Sequence, residues 1–204
     1  MTTTDVKQTL TDQLRELRLP SFRDHYESLA RQAEQETLSY ERYLLELANR
    51  ECETRRTNRI ETLLRQSRLP LEKTLESFDF GFNPAIDQAL IRDLATCRFI
   101  DEHVCVLIAG PCGTGKSHIA QAIGHCAVRA GIDVMFSTKS QLLGQINAAR
   151  ATGSFERKMQ TLARVPLLII LTAPARQAQD PVDPTAAAGG SDVVVATVDG
   201  DPIP

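Results

Sequence analysis

The stretch from Val104 to His118 constrains this chain more than any other part of it. It begins with a short apolar run, Val104 to Ala109, of the kind that is typical of a buried parallel strand. The run leads into a loop that fills every position of the phosphate-loop pattern G-x-x-x-x-G-K-[ST], and a helical pattern follows. The loop residues are Gly110, Pro111, Cys112, Gly113, Thr114, Gly115, Lys116 and Ser117. The stretch predicts a nucleotide site at the carboxyl edge of a sheet.

The chemistry of a phosphate site explains this spacing. Glycines let successive backbone N–H groups turn toward phosphate oxygens, and a helix that starts near Lys116 adds the positive end of its dipole. We expect Lys116 to reach the β- and γ-phosphates and the Ser117 hydroxyl to ligate Mg²⁺. The alternative is a glycine-rich turn that binds nothing. The predicted cofactor-binding residues are Gly110, Pro111, Cys112, Gly113, Thr114, Gly115, Lys116, Ser117 and His118, although His118 and His125 also suit surface or packing positions.

The bulk composition is that of an ordinary globular protein, with 204 residues, 42% hydrophobic and 24% charged. No apolar run is long enough to cross a bilayer and the first residues are polar, so we expect a cytoplasmic protein without a signal peptide or membrane contact. The five cysteines include no C-x-x-C pair and are odd in number. Reduced thiols are therefore expected, rather than a zinc site or a disulfide framework.

Helical periodicity dominates the first third of the chain. Apolar residues from Val6 to Leu17 form one stripe, Pro20 separates a second short helix, and a longer pattern runs from Ser39 to Leu69. The middle of that long helix is basic, and Arg55, Arg56 and Arg59 fall on neighbouring turns, which would suit contacts with the phosphates of a nucleic acid backbone. A solvated helix face with i,i+4 ion pairs explains the same charges equally well. We predict a small all-α domain over residues 1–75.

The next segment is an α/β domain, predicted over residues 76–170. A connector over residues 71–81 holds Phe78 and Phe80 and, with Phe82, is expected to pack on this domain. A helix over 86–100 and the strand with the loop follow. Helices and short strands then alternate, with strands predicted at 133–137 and 167–171. Such alternation predicts βαβ units and a parallel sheet.

Three segments together carry a family resemblance. They are the phosphate loop, KTLESFDF before it, and GIDVMFSTKSQLLGQINAARATGSFERKMQTLARVPLLII after it. Over about residues 5–170 the chain resembles IstB-like proteins, which are helper ATPases of bacterial insertion sequences related to the helicase loader DnaC. The resemblance implies a P-loop NTPase core of the AAA+ class behind a helical N-terminal domain. It further implies ATP and Mg²⁺ as cofactors, homo-oligomeric assembly on DNA, and recruitment of an IstA-type transposase. It favours the DNA interpretation of the basic helix.

The chain departs from the family after Ile170. There the family has the two Walker B acids, which hold the Mg²⁺ shell, whereas this chain continues with Leu171, Thr172, Ala173 and Pro174. The resemblance ends altogether after Asp180, and residues 171–204 have a net charge of −4 against +1 for residues 1–170. A deleted or frameshifted copy would have such an ending. We predict a divergent, disordered tail over 171–204, an incomplete sheet with an open edge, poor stability and impaired hydrolysis, and we assign no catalytic residue.

Three functions fit these residues. The first is an ATP-binding transposition helper of the IstB type, the second a DnaC-like helicase loader, and the third a non-enzymatic module whose helical domain binds DNA or a partner. Partners distinguish the first two, because their fold and loop would be the same. ATP dependence of DNA binding distinguishes the third.

Overall fold

The computed structural model describes residues 3–84, 86–172 and 193–197. The chain forms two compact units, Met1–Glu61 and Thr62–Pro204. They divide within one long helix, whereas composition placed a domain boundary near residue 75. The predicted domain limits stay a prediction, and most of the predicted tail, residues 173–192 and 198–204, lies outside the described residues.

The first unit is helical, as the periodicity predicts. Helix α1 spans Thr3–Glu16, α2 spans Pro20–Gln35, and α3 begins at Tyr40 and continues to Ser67 in the second unit. Pro20 occupies the first helical position of α2, where its missing N–H costs nothing. Leu14, Leu29 and Leu47, one from each helix, are buried and form the apolar centre of this unit.

Helix α3 ends through local chemistry. Ser67 is fully buried; its hydroxyl donates to the carbonyl of Leu64 at 2.7 Å and accepts from the amide of Leu69 at 3.2 Å. Arg68 takes a left-handed conformation with φ of 61°, and Pro70 then prevents further helix. The predicted stop at Leu69 is thus confirmed to within two residues.

The second unit has helices on a four-stranded sheet. Helices α4 (Gln88–Ala95) and α5 (Arg98–Asp101) replace the single helix predicted over 86–100, because Cys97 has φ of 63° and interrupts it. The remaining elements are β1 (Val106–Ile108), α6 (Lys116–Arg129), β2 (Val134–Thr138), α7 (Lys139–Ala151), α8 (Phe155–Ala163), β3 (Leu167–Leu171) and β4 (Val193–Thr197). The order of helices and strands is the predicted alternation.

The sheet contains the predicted parallel strands but is mixed, because it also includes an antiparallel strand, β4, that was not predicted. Its order is β1-β4-β3-β2; β2 and β3 are parallel, with Val134 opposite Leu167, and β4 is antiparallel to both β1 and β3. The parallel pair is joined by the crossover helices α7 and α8, as parallel strands require. Strand β4 is a β-branched run, which favours an extended backbone, and it separates β1 from β3.

This order also corrects the expectation for β1. In the described sheet β1 is an edge strand, and the Leu107 side chain is 63% exposed, so β1 is not the buried strand that its apolar sequence indicated. The buried centre lies farther across the sheet, where Leu167 and Ile169 of β3 are completely covered. Helix α6 packs there closely, since a Cβ added at Gly124 would lie 2.7 Å from the Ile169 side chain.

Candidate nucleotide-binding site

The loop after β1 has the backbone that the motif requires. Gly110, Gly113 and Gly115 have φ values of 149°, 80° and 88°, and helix α6 starts immediately afterwards at Lys116. Residues with a Cβ rarely adopt such angles, so glycine at these positions is explained by the loop conformation itself. The loop therefore turns sharply onto the amino end of a fourteen-residue helix, a geometry that suits an anion.

Lys116 lies against this loop. Its side chain is buried, and its ammonium group donates to the carbonyl of Pro111 at 2.5 Å and to the Thr114 hydroxyl at 3.3 Å. The Thr114 hydroxyl in turn donates to the same carbonyl at 3.0 Å. The positive charge is thus held within a few ångströms of the backbone that would surround a phosphate.

Ser117 and His118 diverge in their surroundings. Ser117 is half-buried at the second position of α6, beside the loop. The His118 Nε2 atom lies 2.9 Å from the carbonyl of Thr74 and 3.2 Å from the Ser77 hydroxyl. The His118 ring therefore contacts the connector, and its predicted role toward a cofactor stays a prediction.

The connector reaches the loop, which the sequence did not reveal. The Phe78 ring lies against Gly115, where an added Cβ would meet ring carbons at 2.8 and 2.9 Å. Phe78 also makes edge contacts with Phe80 and His118, with ring centroids 4.9 and 5.1 Å apart. Phe82 does not join this cluster and is 68% exposed, so its predicted packing was wrong. The sequence Phe-Asp-Phe at residues 78–80 indicated that these rings pack, but it did not indicate that Phe78 packs against the phosphate loop.

Metal ligands are sparse at this edge of the sheet. Strand β3 ends in Leu171, and Thr172 follows it, so no carboxylate stands at the strand end. Among the described residues no group of three or more histidine, cysteine, aspartate or glutamate side chains could hold a metal ion. Ser117 remains the candidate for a metal bound through the nucleotide. Leu171 and Thr172 stand where the family pattern has two acidic metal ligands, so they do not fit that pattern.

The three arginines of the predicted DNA surface have different surroundings. Arg55 pairs with Glu51 at 2.7 Å, and a second guanidinium nitrogen donates to the carbonyl of Arg18 at 2.6 Å. Arg56 and Arg59 are exposed on the same helix. Arg55 thus has a structural role within the helical unit, and DNA binding by the three residues stays a prediction.

No disulfide joins the five cysteines, all of which lie in the described part of the chain. Burial raises the pKa of the Cys97 thiol to about 11 and also raises that of Cys126. Cys112 lies exposed in the loop.

None of the described helices is both long and apolar enough to cross a membrane.

The strand, glycine loop and following helix define a P-loop α/β protein, compatible with an AAA+ core. Residues 12–174 match the family described as IstB-like ATP binding protein, and the chain belongs to that family. The family resemblance predicted from the sequence is thereby confirmed.

Individual relatives come from insertion sequences of several bacteria. The chain is 33% identical over 165 residues to the ATP-binding protein of insertion sequence IS5376 from Geobacillus stearothermophilus. This alignment covers 81% of the chain and 66% of the relative. The chain is 37% identical over 157 residues to that of IS21 from Pseudomonas aeruginosa, covering 77% and 59%. An insertion-sequence ATP-binding protein of Mycobacterium tuberculosis is 32% identical over 162 residues, covering 79% and 64%. The chain thus spans less than two thirds of these relatives.

Proposed function

We propose that this protein binds ATP with Mg²⁺ at the loop between β1 and α6 and acts as a helper in DNA transposition of the IstB type. The observation that carries the proposal is the loop itself, with three glycines at positive φ and the Lys116 ammonium held against it. Family membership supports ATP as the nucleotide, since the relatives are described as ATP-binding proteins of insertion sequences. The proposed partners are DNA and an IstA-type transposase, in the cytoplasm.

The roles of individual residues follow from their positions. Backbone N–H groups of the loop would donate hydrogen bonds to the β- and γ-phosphate oxygens, and the Lys116 ammonium would exchange its contact with the Pro111 carbonyl for phosphate oxygens. The Ser117 hydroxyl would hold the Mg²⁺ that accompanies the nucleotide. When bound, Mg²⁺ supplies charge neutralisation of the phosphates. The positions and charges of these groups are thus sufficient to explain nucleotide binding.

The direct test measures nucleotide binding by the whole chain. A fluorescent ATP analogue with Mg²⁺ should bind the unaltered protein, and Lys116→Ala should weaken binding by roughly 100-fold, because a charge-assisted contact to phosphate is lost. Arg164→Ala is the matched control, since it removes one exposed cation just before the amino end of β3, away from the loop. Equal affinity of the Lys116→Ala variant and the unaltered chain would contradict the proposal.

A further inference from the structure

The aromatic ring of Phe78 occupies a fixed place beside the phosphate loop. Two of its ring carbons lie so near Gly115 that a Cβ at that position would come within 2.8 and 2.9 Å of them. Gly115 also has φ of 88°, an angle that residues with a side chain rarely adopt. Glycine is therefore required twice at this position, once by the backbone angle and once by the ring.

His118 also contacts this ring. It lies one helical turn beyond Gly115, and its ring meets that of Phe78 edge-on, at 5.1 Å between centroids and 80° between planes. Its Nε2 atom is within hydrogen-bond distance of the Thr74 carbonyl and the Ser77 hydroxyl. The first turn of α6 and the connector are thus joined by both polar and aromatic contacts.

The connector, and Pro70 immediately before it, are also tied to α6 farther along the helix. The His125 Nε2 atom lies 2.8 Å from the carbonyl of Pro70, and the Arg129 guanidinium bonds both oxygens of the Glu76 carboxylate, at 2.5 and 3.4 Å. Hydrogen bonds from Arg129 hold the pKa of Glu76 down to about 2, so the carboxylate is ionised at neutral pH. Together with the contacts of His118, these contacts span twelve residues of α6, from His118 to Arg129, and the connector cannot shift along the helix without breaking them.

We propose that Phe78 and His118 are positioning residues that hold Gly115 and the amino end of α6 in the conformation that binds phosphate. The inference rests on the proposed nucleotide site. A contact between the ring and Gly115 favours the loop angle at which the following N–H groups face an anion. Loss of the ring leaves Gly115 free to visit other angles, because glycine has no Cβ to restrict it. Nucleotide binding must then also order Gly115, and this lowers the affinity for nucleotide.

The experiment compares Phe78→Ala with Phe82→Ala in the full chain, with Mg²⁺ and a fluorescent ATP analogue as the probe. Phe82 is the matched control, because it is an exposed phenylalanine four residues along the chain. Phe78→Ala should weaken binding roughly three- to tenfold, the range that an aromatic contact provides, and Phe82→Ala should leave it unchanged. Unchanged affinity of Phe78→Ala, with Lys116→Ala defective, would overturn the inference and leave the proposed function intact. Absence of binding by the unaltered chain would overturn both.

A double-mutant cycle tests whether the Phe78 ring restricts residue 115. Gly115→Ala should weaken binding more in the unaltered chain than in the Phe78→Ala background, because removing the ring removes one of the two obstacles to a Cβ. Additive losses would show that the ring does not restrict residue 115, and they would count against positioning.

A second readout holds even where Phe78→Ala fails to fold. Because linkage is reciprocal, addition of the ATP analogue to the unaltered chain should slow amide hydrogen exchange at residues 74–78, and it should not do so in Lys116→Ala. Unchanged exchange in this segment at saturating nucleotide would overturn the inference.

Discussion

Arg55, predicted from its charge to contact nucleic acid, makes an ion pair and a hydrogen bond within the protein. It bonds Glu51 one turn earlier on α3 and the carbonyl of Arg18, just beyond the end of α1. Glu51 is itself only 4% exposed and accepts a hydrogen bond from the amide of Ser21 at 2.9 Å. Sequence spacing could indicate the Glu51–Arg55 pair, because i,i+4 charges meet on a helix. It could not indicate Arg18 and Ser21, which are brought near α3 by the fold.

Replacing Glu51 should destabilise the helical unit. Glu51→Ala leaves the Ser21 amide without its acceptor in a buried place, which should cost roughly 1–3 kcal/mol of unfolding free energy. Glu53→Ala removes an exposed carboxylate from the same helix and should cost less than about 0.5 kcal/mol. Urea unfolding followed by circular dichroism measures both, and equal midpoints would show that the buried carboxylate contributes little.

The same carboxylate should make stability depend on pH. Burial opposes its ionisation, but hydrogen bonds from Arg55 and Ser21 outweigh this, and the pKa of Glu51 lies below its ordinary value. A lowered folded-state pKa means that the contribution is present above the unfolded pKa and is lost as pH falls through the folded value. The stability difference between the unaltered chain and Glu51→Gln should therefore shrink below about pH 4.

At the scale of elements, the strands and helices were largely predictable and their pairing was not. Apolar runs and helical periods fixed β2, β3, α6, α7 and α8, because these signals are local. The break at Cys97 depends on a single backbone angle, and the position of β4 depends on pairing between residues far apart in the chain. Similarly, the loop could be predicted from its motif, whereas the contact between Phe78 and Gly115 required the fold.

The end of β3 leads to a prediction about hydrolysis. In the position where the family places two acids, this strand continues into Leu171 and Thr172, which carry no charge. Since Mg²⁺ placement provides much of phosphoryl-transfer catalysis, ATP should bind but turn over weakly or not at all. Phosphate release with and without duplex DNA measures this. DNA-stimulated release that Lys116→Ala abolishes would show that another residue replaces the acids.

At the scale of the whole molecule, a helical unit precedes the unit that carries the phosphate loop, and the proposed helper function requires that DNA binding depend on both. The order of these units could be predicted from composition and periodicity, because each has its own pattern. Whether nucleotide binding and DNA binding depend on each other could not be predicted, since the chain spans only part of the length of its relatives. The remaining question is whether nucleotide changes the affinity for DNA.

DNA binding by the full chain answers it. Fluorescence anisotropy with a labelled duplex should show affinity that rises with ATP and falls steeply with salt, because counterions are released from phosphates. Arg56→Ala should lower the slope of log affinity against log salt by about one, as expected for a lost phosphate contact. Arg31→Ala removes an exposed arginine of α2 as the control. Affinity that is equal with and without ATP, and equal in Lys116→Ala, would favour a DNA-binding module over a transposition helper, because such a module does not need the loop.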